Sequence, residues 1–197
     1  MISIILCPNL TNVEETTDLF GIPVPSTNRV FLTFVVIHIF ISLLCVISGL
    51  LAMLSEKGKK KHSGFGKVYF WSMLSSFTTV VILSIMRWPH NVHLLAIGIL
   101  AVVCAFAGYR LTKSQEKNWT RLHTILMSFS YIFLLTGFYV DNGKNLPFWK
   151  LLPQWSFWIF PTALGIPIIL RVLKTHPLNR DLKNGSKIWQ DGGTEKR

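Results

Sequence analysis

Acidic residues are scarce in this 197-residue chain. Nine Asp and Glu stand against twenty Lys and Arg, a formal net charge of +11. Charged residues of both signs make up only 15%, where a soluble domain carries about 25%. No carboxylate lies inside any of the long apolar runs. That excludes paired-carboxylate catalysis and a proton relay built on Asp or Glu. Only three cysteines occur, Cys7, Cys45 and Cys104, with no C-x-x-C pair. A disulfide framework and a cysteine zinc site are therefore unsupported. The G-x-S-x-G, Walker and H-E-x-x-H patterns are missing too.

What the chain has in abundance is apolar surface. Half of it is hydrophobic, with 14 Phe and 7 Trp. Repeated apolar runs of about 20 residues predict an all-α integral membrane bundle with the lipid bilayer as its main partner. A strongly basic chain raises the question of nucleic acid. Here the cations sit between apolar runs, where they set topology and meet anionic headgroups, so no nucleic-acid partner is expected.

The organisation reads as an extracytoplasmic lead over residues 1–30, a transmembrane domain over 31–173 and a polar cytoplasmic tail over 174–197. The lead is acidic at Glu14, Glu15 and Asp18. Pro23 and Pro25 break any helix there, and Ser26 or Thr27 can cap the next one. Asn9-Leu10-Thr11 fits a glycosylation acceptor, a motif that matters only in a eukaryotic secretory pathway. Five spans follow, at about Phe31–Leu54, Phe65–Met86, His90–Leu111, Leu122–Val140 and Trp155–Leu173. The loop Ser55–Gly66 carries Lys57, Lys59, Lys60, Lys61 and His62. Gly98, Ala101, Ala105 and Gly108 make a small-residue stripe suited to close helix packing. The last span contains Pro161 and Pro167, which predict a kink.

The stretch Asn118–Trp149 carries the sharpest clue. Spacing by three and four puts His123, Met127, Ser130, Leu134, Gly137 and Asp141 on one helix face. An ionisable group thus stands at each end of an otherwise apolar stripe. Asp141 also reads as a turn cap for Asn142-Gly143. Similarly, His62 shares a face with Gly66, Tyr69, Met73 and Ser76, and His38 with Ser42, Cys45 and Gly49.

Charge sets the orientation. With the N-terminus outside, only Arg29, Arg87, Lys144 and Lys150 face outward, and the other sixteen of the twenty Lys and Arg lie inside. The positive-inside rule then places the C-terminus in the cytoplasm. In this frame His62 and His123 begin the second and fourth spans at the inner face, while His38 and His93 lie in the outer half. In an up-down bundle the second and fourth helices are diagonal, as are the first and third. Each diagonal pair can present one imidazole from each side to a flat ligand, the arrangement that b-type haem requires. The plan resembles the cytochrome b561 type of di-haem bundle over four of the five helices. His62, His123, His38 and His93 are the candidate haem b ligands, with His62 and His123 the better matched in depth.

Several segments are also similar to a family of small bacterial multi-pass proteins described only as a predicted-membrane domain of unknown function. The similarity rests on His38 to Gly49, on KHSGFGKVY from Lys61 to Tyr69, on Arg121 to His123, on FYVDNGKNLPFW from Phe138 to Trp149, and on His176-Pro177. Ser63 stands where the family pattern H-R-x-x-G has arginine. The resemblance implies a bacterial cell membrane and a fold, but no activity; Tyr69, Arg121 and Asp141 are further candidate residues.

Two functions are open at this point, so whether the chain is an enzyme is undecided. One is electron transfer through haem, from quinol or another inner-side donor to an outer acceptor. The other is a non-catalytic membrane protein, either an assembly or interaction subunit working with other membrane proteins or a small-solute carrier, whose histidines pack or gate.

Overall fold

The computed structural model of the chain describes residues 17–19, 22–24, 28–56, 59–114, 119–146 and 149–175. Five long helices form an all-α bundle: α1 (Arg29–Leu54), α2 (Lys60–Met86), α3 (Val92–Ser114), α4 (Trp119–Asn142) and α5 (Ser156–Thr175). Each is long and apolar enough to cross a bilayer. Large apolar side chains such as Phe40, Trp71, Ile85 and Val103 point away from the bundle. Water would penalise that surface, and lipid accepts it. The chain is a membrane protein.

Helix ends differ from the sequence expectation in informative ways. Asn28 caps α1, not Ser26 or Thr27; its Oδ1 accepts from the backbone N–H of Val30 at 2.9 Å and of Phe31 at 3.5 Å. The helix therefore starts two residues earlier than expected. α2 starts five residues earlier, at Lys60. Lysine is a good helix former, and the Ser63 N–H bonds the Lys59 carbonyl at 3.3 Å. Lys59 also pairs with Glu56. This moves His62 out of the loop and into the first turn of a helix. At its C-terminal end α4 continues through Asp141 and Asn142, so Asp141 is not a turn cap. Two short 3-10 turns follow, Gly143–Asn145 and Trp149–Leu151. α5 runs on through Pro161 and Pro167.

The lead, expected to be irregular, contains a short hairpin. β1 (Thr17–Leu19) pairs antiparallel with β2 (Ile22–Val24), Asp18 opposite Pro23. β-branched residues and the extended bias before a proline favour this backbone. Asn9 and His176-Pro177 lie outside the described residues, as does the tail from residue 176.

The bundle is two hairpins laid side by side. α1 packs most closely on α2 and α3 on α4, whereas α2 meets α3 less and α1 barely touches α4. α2 and α4 are thus diagonal, and α5 packs on the outside of α4. The small-residue stripe explains part of this. Ala101 and Ala105 are buried, and a Cβ at Gly98 would approach Phe77 of α2 to 3.1 Å. One at Gly108 would approach the Met127 sulfur of α4 to 2.9 Å. The stripe lets α3 sit tightly between two partners, as small residues do where lipid supplies no hydrophobic drive. Beyond α4, Phe157 of α5 buries its ring over Gly143, and Tyr139, Trp149 and Phe160 form an aromatic cluster at the C-terminal end of α4.

Candidate functional site

His62 and His123 meet. Their rings lie edge-on, with centroids 6.5 Å apart and planes at 82°. His62 comes from the first turn of α2 and His123 from the second turn of α4, so the contact bridges the diagonal at one end of the bundle. Both side chains are half-buried.

Each ring is aimed by a backbone carbonyl. His62 Nδ1 lies 2.8 Å from the Ala52 carbonyl of α1, and His123 Nδ1 lies 2.8 Å from the Gly108 carbonyl of α3. A carbonyl only accepts, so in both rings Nδ1 carries the proton and donates. In the neutral ring Nε2 is then the basic nitrogen. Ligating histidines are generally oriented in this way, with the remote ring N–H tied to a carbonyl or carboxylate. The device occurs twice, once per hairpin, each time from the second helix back to the end of the first. Trp119 stands beside His123, ring centroids 6.4 Å apart.

Two turns along, each helix carries a tyrosine, Tyr69 on α2 and Tyr131 on α4. Their rings lie 6.2 Å apart. The Tyr69 hydroxyl bonds the Ser130 hydroxyl at 2.8 Å, and the Tyr131 hydroxyl donates to the Val46 carbonyl at 3.2 Å. Both rings lie against Gly49, where an added Cβ would approach each to within 2.8 Å. The tyrosines therefore floor the space between the hairpins, just below the histidines.

The proposed outer pair is not assembled. His38 is nine residues into α1 and His93 one residue into α3, an offset of about 12 Å at the helical rise. His38 also has both nitrogens occupied. The Thr79 hydroxyl donates to the Ser76 carbonyl at 2.6 Å, so it accepts from His38 Nδ1 at 2.7 Å. Ser42 lies 3.2 Å from His38 Nε2 and 2.9 Å from the Ser76 hydroxyl. This network joins α1 to α2 inside the membrane and satisfies an imidazole that lipid could not. His93 instead lies beside Trp158 of α5, ring centroids 6.3 Å apart. The physical reason is register: α1 starts two residues earlier than expected, at the Asn28 cap, and α3 two residues later, after the turn at residues 87–91, which together add about 6 Å at the helical rise to the offset.

Of the remaining candidates, Tyr69 belongs to the floor just described. Arg121 is exposed, two residues before His123. Asp141 sits in the last turn of α4, within electrostatic reach of His93 and Arg87. Among the described residues no three of His, Cys, Asp or Glu gather as a metal cluster. The residues that aim the histidines, Ala52 and Gly108, act through carbonyls, which every residue has. Their small side chains were the only available signal.

Compared with known proteins, the chain matches no family model, no curated protein and no solved structure.

Proposed function

We propose that this membrane protein binds b-type haem between its two helical hairpins, with His62 and His123 as axial ligands, and transfers electrons. One observation carries the reading: two carbonyl-aimed imidazoles stand 6.5 Å apart, centroid to centroid. Two imidazoles coordinating one iron from opposite sides, at about 2 Å each, hold their centroids about 6.3 Å apart. The planes of such ligands share the metal axis and take any mutual twist, so 82° fits. Two protein ligands are also the number such a haem takes.

Bound there, haem supplies a one-electron couple whose potential the axial ligands and burial tune. The chain's own residues do the rest. The carbonyls of Ala52 and Gly108 hold both imidazoles in the ligating tautomer. Tyr69, Tyr131 and the apolar core beneath them exclude water from the site's inner wall. Lys60, Lys61 and Arg121 at the same end supply positive charge for two propionates. With the orientation read from charge, the site lies near the cytoplasmic face of a bacterial plasma membrane, where quinol or a soluble donor reaches it.

A second reading is favoured by the same hydrogen bonds, since each also ties two helices together. In it the protein is a non-catalytic assembly subunit or solute carrier, and the histidines are structural clamps. Purification from haem-replete cells separates the two. The haem reading expects a Soret band and a low-spin bis-imidazole spectrum, lost in His62→Ala and in His123→Ala and kept in His38→Ala and His93→Ala. A colourless protein would favour the second reading, and a His123→Ala variant with an unchanged haem spectrum would exclude His123 as a ligand.

A further inference from the structure

α1 and α2 leave a groove on their lipid-facing side, about 500 Å³ in volume and lined by Ile41, Leu44, Lys67, Val68, Trp71, Ser72 and Ser75. Its walls are mostly apolar. Along α2 it runs from Lys67 to Ser75, about 12 Å at the helical rise, most of the roughly 15 Å that one leaflet contributes to the hydrocarbon. Its one cation stands at the inner end. Lys67 is seven residues into α2, exposed, and forms no ion pair among the described residues. An ammonium at that depth reaches for the headgroup layer along its own apolar stem. The groove therefore offers a positive charge at headgroup level and an apolar channel leading inward from it.

We infer that this groove binds an anionic phospholipid of the inner leaflet, the headgroup phosphate on Lys67 and one acyl chain along Leu44, Val68, Trp71 and Ile41. Charge and shape select this occupant together. A neutral isoprenoid would leave the ammonium unpaired, and a soluble anion would leave the apolar walls uncovered. The anionic headgroups of the cytoplasmic leaflet lie on the same side as the basic loops. The inference is independent of the haem reading.

Trp71 provides the readout, because brominated acyl chains quench indole fluorescence on contact. The full chain is placed in vesicles of brominated phosphatidylglycerol mixed with phosphatidylcholine, and in the reverse pairing. Subtracting the Trp71→Phe signal isolates the groove. The expected result is a preference of about fivefold for the anionic lipid at Trp71, the worth of one well-placed cation. Lys67→Arg keeps that preference, and Lys67→Gln abolishes it. Lys113→Gln removes one inner charge from the other hairpin and leaves the preference intact. Equal quenching by the two lipids would overturn the inference. So would an unchanged preference in Lys67→Gln, or an equal loss in Lys113→Gln, which would show bulk attraction only.

Discussion

Gly49 is the position where the smallest change tests the most of this packing. It sits five residues from the end of α1, with Tyr69 and Tyr131 against its Cα face. A Cβ placed there would lie 2.7 and 2.8 Å from ring carbons of Tyr131 and 2.8 Å from one of Tyr69. Real Cβ atoms do not tolerate such contacts, so Gly49→Ala must push at least one ring aside. Overpacking of this kind costs about 1–3 kcal/mol. Moving the rings also loosens the Tyr69–Ser130 and Tyr131–Val46 hydrogen bonds, about 0.6 kcal/mol each for bonds between membrane helices. Alanine's better helix propensity opposes this by about 1 kcal/mol. The net expectation is destabilisation of about 1–3 kcal/mol. It is measured as a lowered unfolding midpoint in a titration of SDS against mild detergent micelles. Gly64→Ala is the matched control, because a Cβ there meets nothing and only the propensity gain remains. If Gly49→Ala is as stable as Gly64→Ala, the tyrosines do not close over α1 and the seam between the hairpins is built otherwise.

Two other outcomes follow from the same contacts. Thr79→Val removes the acceptor for His38 Nδ1 and leaves a donor unpaired in the membrane, which should cost about 1–3 kcal/mol in the same titration; Thr78→Val, whose hydroxyl bonds only its own helix, should stay within about 0.5 kcal/mol of wild type. A reporter enzyme fused after Arg197 should be active in the cytoplasm and one inserted near Asn145 outside it, and the reverse pattern at either place would refute the five-span orientation.

Much of the architecture was legible in the residue order. A bilayer demands about twenty apolar residues per helix whatever lies around it, so Phe31–Leu54 and its four counterparts declare themselves without tertiary information. The same holds for Gly98, Ala101, Ala105 and Gly108, since in lipid only small side chains let helices approach. The nearness of His62 and His123 followed from depth and diagonal placement alone. Register did not follow. Whether α1 begins at Phe31 or at Arg29, and α2 at Phe65 or at Lys60, depends on Asn28 accepting two N–H groups and on His62 finding the Ala52 carbonyl. Shifts of two residues at each helix start are invisible to hydropathy, yet together they part His38 from His93. Only the folded bundle decided which nitrogen of each histidine carries the proton, because the deciding partners are backbone carbonyls on neighbouring helices. Tertiary structure likewise decided that His38 is spent on Ser42 and Thr79, since hydroxyls from two helices must converge before an imidazole in lipid is satisfied at both nitrogens.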